Sequence, residues 1–140
     1  AVLDVVEHIE DDVAALAAMK TLLKPGGKIL IAVPAHQWLW SAHDVVNHHH
    51  RRYSKATLRK AIVDAGLKPT KLSYFNSLLF PLAAAARIAG RMTGRDDSDD
   101  SPPAKPLNTL FEKVFGLERY LVGRVPMTPG VSIVTLASPD

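Results

Sequence analysis

Lys24-Pro25-Gly26-Gly27-Lys28 leads into Ile29-Leu30-Ile31-Ala32-Val33-Pro34, and the reading of this stretch decides the fold. An unbroken apolar run after a double glycine, with no polar alternation, predicts a strand buried on both faces in the middle of a parallel sheet. Upstream, Ala1-Val2-Leu3-Asp4-Val5-Val6 reads as a second apolar strand. Between the two, Asp11 or Asp12 can cap a helix over about Asp12 to Lys24, where carboxylate and helix dipole agree, and Gly26 can supply the left-handed residue that ends it. Val13, Leu16, Met19 and Leu23 recur at spacings of three and four, giving one apolar face to lay on a sheet. Strand, helix, glycine turn and strand make a βαβ unit, and its right-handed crossover requires the two strands to be parallel.

The 140 residues, 47% of them hydrophobic, can bury the core of one domain spanning 1–140. With no cysteine, a disulfide framework and a thiolate zinc site are both excluded, and an intracellular, cytoplasmic protein is expected. No secretory leader pattern is present, since Asp4 interrupts the apolar start. A net charge of +3, from 17 basic and 14 acidic residues, is too slight to describe a nucleic-acid surface. The chain opens at Ala1 inside an apolar strand, which predicts a fragment of a longer polypeptide.

After Val33 comes Pro34-Ala35-His36-Gln37-Trp38-Leu39-Trp40-Ser41-Ala42-His43-Asp44, which holds both tryptophans and shows no clear period. It reads as a long loop at the carboxyl end of a strand, where open α/β sheets bind ligands. His48-His49-His50-Arg51-Arg52-Tyr53 precedes Ser54, an N-cap for a helix that presents Leu58, Ala61, Ile62 and Ala65 and stops at Gly66. Pro69 to Phe75 is a short strand. Leu78 to Gly90 is apolar with Pro81 near its start and is shorter than the about 20 residues a bilayer span needs, so it predicts a packed or membrane-surface helix, not a spanning one. Residues 93–106 form an acidic, proline-ended linker expected to be disordered. Leu107, Leu110, Phe111, Val114, Leu117 and Leu121 mark an amphipathic helix, and Val131 to Ala137 a final strand.

Asp4-Val5-Val6-Glu7-His8-Ile9, then Asp11-Asp12, then Leu23-Lys24-Pro25-Gly26-Gly27 before an apolar strand resembles the second half of a class I S-adenosylmethionine-dependent methyltransferase. In that family an acidic-x-x-Glu-His segment follows the fourth strand, and leucine-lysine-proline-glycine-glycine leads into the fifth. The resemblance covers residues 1–75 and is strengthened by the His-x-Arg-Arg-Tyr-Ser run His49-His50-Arg51-Arg52-Tyr53-Ser54 after the second of these strands. It implies an α/β fold: the C-terminal half of a Rossmann-like seven-stranded sheet, mostly parallel, with Val131 to Ala137 as the antiparallel last strand. The family's first strand, its glycine-rich loop and the acidic residue that holds the ribose would precede Ala1 and belong to a missing N-terminal half. The expected strand order is first, second, fourth, third, with helices on both faces.

The resemblance further implies S-adenosyl-L-methionine as cofactor, bordered by Asp4, Val5, Glu7 and His8, and a small, lipophilic acceptor molecule. Methyl transfer from a sulfonium is an in-line displacement that gains most from positioning, with a base useful for hydroxyl or carbon acids. His8 is the candidate catalytic base or acceptor-orienting group. The alternative is that Glu7 and His8 hydrogen-bond to neighbouring loops and only shape the pocket. Candidate acceptor-binding residues are His36, Trp38, Trp40, His43, Arg51, Arg52 and Tyr53. Trp38 and Trp40 face one side in extended chain and either wall the acceptor or close the core as a lid. Arg51 and Arg52 either hold an anionic group on the acceptor or form a solvated positive patch. His48 and His50 would share a face, but no nearby carboxylate pair completes a ligand set, so no metal is expected. A second class of function, a non-catalytic interaction module or a basic nucleic-acid-binding one using residues 48–59, lacks any nucleic-acid motif, and no nucleic-acid partner is expected.

Overall fold

The computed structural model describes residues 1–93, 105–118, 120, 121, 124, 125, 127 and 129–139. Its strands are β1 (Val2–Leu3), β2 (Ile29–Pro34), β3 (Leu67–Phe75) and β4 (Ser132–Pro139), joined in one sheet of order β1-β2-β4-β3. β1 and β2 are parallel, Val2 lying opposite Ile31. β4 enters antiparallel between its neighbours, with Ile31 opposite Thr135 and Tyr74 opposite Ile133. This mixed α/β sheet has the expected order and the expected antiparallel last strand. The bulge between Pro69 and Lys71 falls where proline cannot donate to the ladder.

Several expected boundaries are corrected by local geometry. β1 ends at Leu3, because Asp4 takes a positive φ of 49° and Val6–His8 coil into a 3-10 turn. The first helix, α1 (Asp12–Thr21), is capped by Asp11, whose side chain accepts from the Ala14 amide at 2.9 Å. It stops short of Lys24. Gly26 is left-handed as expected, at φ 75°, but it shapes the turn into β2 and does not cap the helix. In the stretch expected to be a loop, a 3-10 turn at Gln37–Leu39 is followed by a short helix, α2 (Ala42–Val46). α3 (Lys55–Asp64) starts at the Ser54 cap and ends before Gly66 at φ 72°. α4 (Phe80–Thr93) and α5 (Lys105–Glu118) take in both ends of the expected linker, whose residues 94–104 lie outside those described.

The core joins Ile29, Ile31 and Val33 of β2 and Ile133 and Ala137 of β4 to Leu16 of α1 and Leu58, Ala61 and Ile62 of α3. Both helices therefore cover the same face of the sheet. Leu30, on the opposite face of β2, stays 36% exposed, and Leu3 beside it 53%. The apolar run is central, as expected, but among the described residues it is fully buried on one face only. The reading from an unbroken apolar run fails here because hydrophobicity marks a face that can be covered, not one that is.

Candidate active site

At the carboxyl ends of β1 and β2 the chain leaves the sheet twice, and the two exits are tied together. The Asp4 amide donates to the Ala32 carbonyl at 3.0 Å, and the His50 amide to the Glu7 carbonyl at 2.8 Å. The 3-10 turn then drives the Glu7 side chain inward, where it is 0% exposed and neither carboxylate oxygen has a hydrogen-bond partner among the described residues. Burial pushes the Glu7 carboxyl up to about 7, with the nearby Asp4 charge acting in the same sense and His8 and Arg52 opposing. Its own backbone amide also favours ionisation but is not aligned as a hydrogen bond. His8, the next residue, is exposed, and its ring meets that of His49 edge-on at 4.6 Å.

Asp44 is the polar centre of the adjoining loop. Fully buried, it accepts from the Ser41 amide at 2.9 Å, from His49 Nδ1 at 2.8 Å and from Arg52 Nε at 2.8 Å. Burial would raise its pKa, but the hydrogen bonds from Arg52 and His49 outweigh that and hold the carboxyl below its ordinary value. Arg52 also donates to the Ala35 carbonyl at 3.3 Å, and its backbone amide to Gln37 Oε1 at 3.0 Å. Arg51 pairs with Asp12 at 3.0 Å and donates to the Glu10 carbonyl at 2.6 Å. The Tyr53 ring is in the core, and its hydroxyl donates to Asp12 Oδ2 at 2.7 Å. Burial, that hydrogen bond and the Asp12 charge all raise the Tyr53 pKa.

A separate aromatic cluster grows from the end of β2. His36 stacks on Tyr74 at 5.1 Å and 16°, with Phe80 at 5.4 Å and Trp38 at 5.9 Å. Trp38 meets Phe80 edge-on at 6.0 Å and is 43% exposed. Burial, joined by the Arg52 charge, lowers the His36 pKa against a hydrogen bond with the Gly130 backbone, and Nε2 is buried with no partner. Arg91 of α4 donates to the Trp38 and Trp40 carbonyls and pins α4 to this loop.

The expected site residues thus fall into distinct groups. Asp4, Val5, Glu7 and His8 share one sheet edge, and beside them His49 meets His43 edge-on at 6.5 Å. His36, Trp38 and Trp40 lie in the aromatic loop with α4, while Arg51, Arg52 and Tyr53 find partners inside the chain. Arg52 acts electrostatically on both Glu7 and His36 and so stands between the two clusters. Among the described residues, one cleft runs along Asp12, Arg51, Tyr53, Thr57 and Asp64, and an apolar one lies between Leu79, Leu82, Ala86 and Phe111.

A family model described as a methyltransferase domain matches residues 2–72. The chain belongs to this methyltransferase family. A solved chain from the complex between the Haloferax volcanii Trm112 methyltransferase activator and a candidate methyltransferase is similar to it in structure. The two share 21% identity at a TM-score of 0.50, over 99% of this chain and 52% of the other. This chain therefore spans about half the length of that neighbour. No curated protein is significantly similar in sequence. The fold is accordingly that of a class I S-adenosylmethionine-dependent methyltransferase-like domain.

Within the methyltransferase match lie Glu7, His8, Asp44, His49 and Arg52, whereas α4 and α5 lie beyond it. Asp44 and Gln37 are polar residues at this edge that were not among the expected site residues, and Asp12, expected as a possible helix cap, pairs with Arg51 and Tyr53. Ser41-x-x-Asp44 carries a readable signal, since a hydroxyl followed three residues later by a carboxylate is a helix-start pair. Nothing local marks Asp12 as the partner of Arg51 and Tyr53.

Proposed function

We propose that this methyltransferase domain takes part in S-adenosyl-L-methionine-dependent methyl transfer to a small, lipophilic acceptor, as the C-terminal half of a seven-stranded Rossmann-like sheet. The observation that carries the reading is that residues 2–72, the family match, are those that bring Glu7 and His8 to the carboxyl edge of β1 and β2. Asp4, Val5 and His8 are exposed there, so a carboxylate, an apolar side chain and an imidazole are available to border the methionine end of a bound cofactor. This donor set fits a cationic sulfonium with an aliphatic arm. The cofactor, when bound, supplies the electrophilic methyl group. Glu7 supports the turn from beneath, and His8 receives the acceptor's proton or orients its reacting atom.

Trp38, Trp40 and His36, with Phe80 and Tyr74, offer the flat apolar wall a lipophilic acceptor needs, and His43 lies beside His49. His36 Nε2, buried and unpaired, is the second group able to take a proton from an acceptor hydroxyl. Arg51, Arg52 and Tyr53, expected at the acceptor, serve in this reading by positioning the edge through Asp12 and Asp44. The same pairings weaken the nucleic-acid alternative, because the basic stretch it needs is largely neutralised within the chain.

Transfer of an isotopic methyl group from the cofactor to a panel of hydrophobic hydroxy compounds, using the full-length protein, tests the proposal. His8→Ala is expected to lower turnover by about 100-fold, a larger loss than that in cofactor affinity. Equal loss of both would leave His8 a pocket-shaping role, and no transfer to any acceptor, with no cofactor binding, would overturn the reading.

A further inference from the structure

Glu7, His8 and His49 each present one metal-ligating atom within 4.8 Å of the other two. A carboxylate withdrawn from water without a hydrogen bond costs several kcal/mol, roughly the penalty for any unpaired buried polar group or more. Glu7, 0% exposed and with both oxygens unpaired, calls for a partner that the described residues do not supply. His49 is prepared for that role. Its Nδ1 is held by Asp44 at 2.8 Å, which leaves Nε2 as the ligating nitrogen, and Asp44 is itself fixed by Ser41 and Arg52. A carboxylate behind an imidazole orients the ring and raises its basicity, as outer-shell groups do in metal centres. The charge that Arg52 brings near the cluster is offset by Asp44.

We infer that Glu7, His8 and His49 form a binding site for a divalent transition-metal cation of the zinc class, with a coordination position left open. Two imidazoles and one carboxylate are a donor set that such cations accept while keeping a place for water or substrate. Tetrahedral ligands at zinc distances lie about 3.4 Å apart, so the trio must close by up to about 1.4 Å. His8, exposed on its turn, is free to make that movement. Metal binding does not depend on the methyl-transfer reading. That an acceptor hydroxyl in the open position would be acidified does rest on it.

The sequence reading expected no metal, because His48 and His50 lack a nearby carboxylate pair. Both are exposed and flank the cluster without joining it, whereas the carboxylate of the cluster comes from Glu7, on a different loop.

Calorimetric titration of zinc chloride into chelator-stripped full-length protein, with visible absorption of the cobalt form, tests the site. Binding of one ion per chain at micromolar strength or tighter is expected, with cobalt bands of a low-coordinate nitrogen and oxygen site. Glu7→Gln and His49→Ala should each weaken binding at least about tenfold, as should His8→Gln, whose exposed side chain is not needed for folding. His48→Ala and His50→Ala should leave it unchanged. No stoichiometric binding, or binding that is indifferent to Glu7→Gln and His8→Gln but lost with His48→Ala, would overturn the assignment, and either result stands apart from whether methyl transfer is found.

Discussion

The fate of a charge at this sheet edge depends on what surrounds it, and two aspartates show the range. Asp44 and Arg52 form an ion pair buried on both sides, whereas Asp64 pairs with Lys60 on the open surface of α3. Removing one member of a buried pair strands the other and costs about 3 to 5 kcal/mol, while an exposed pair contributes about 0.5 kcal/mol or less. Asp44→Asn is therefore expected to lower the denaturant midpoint strongly and Asp64→Asn hardly at all, as read from equilibrium unfolding. His36 supplies a pH-dependent counterpart. Its folded pKa lies below 6.5, so the unfolded chain binds the proton more readily and stability falls as pH drops through 6.5. Glu7, raised to about 7, acts in the opposite sense over the same range, losing stability as pH rises from its ordinary 4.5 towards 7. Arg52 bears on both groups, and Tyr74, Phe80, Trp38 and the Gly130 backbone face His36. The readout is consequently the difference in thermal midpoint between wild type and His36→Asn, which should shrink from pH 7.5 to pH 5.5; an unchanged difference would exclude the desolvated imidazole.

Among the elements, glycine marks the places where the backbone leaves no choice. A Cβ at Gly130 would lie 2.4 Å from the Phe75 carbonyl oxygen and 2.9 Å from Tyr74 Cβ, at the junction where β4 joins β3. Neither neighbour is a flexible side-chain end, so the strand entry itself must move. Gly130→Ala is expected to cost at least the about 1 to 3 kcal/mol typical of overpacking, and to disturb the Tyr74 and His36 stack. Gly26 has open space around its Cβ position, and its cost is only the left-handed φ, about 1 kcal/mol. Chemical denaturation of the two alanine variants should rank them in that order. The turn from β3 into α4 hangs on a different device. The buried Glu118 carboxylate of α5 accepts from the Asn76 and Leu78 amides, so Glu118→Gln should loosen α4 and α5 together, which amide hydrogen exchange would resolve.

Across the molecule, the described residues cover the sheet on one side. α1 and α3 pack on the Ile29, Ile31 and Val33 face, while Leu3 and Leu30 point the other way and remain open. Apolar sheet surface of this kind recruits other chains, and the short β1 leaves its outer edge unpaired within the described sheet. The 140 residues by themselves are expected to self-associate in light scattering. Leu30→Lys should reduce the association at little cost in stability. A monomer at the same concentration would remove the expectation.

What the sequence by itself determined was local. The Asp11 and Ser54 caps, the left-handed Gly26 and Gly66 and the apolar spacings of α1 and α3 each depend on residues within a few positions of one another, where propensity and hydrogen bonding act directly. The Asp4 to Gly27 pattern carried the family because it spans the whole crossover from β1 to β2, helix and turns included. Only the tertiary structure decided that Arg51 and Tyr53 answer to Asp12 and that Glu7 faces His49 with no hydrogen-bond partner of its own. Those relations join residues about forty positions apart, brought together by the parallel return of β2 beside β1, and burial of a charge is a property of that packing that no local pattern encodes.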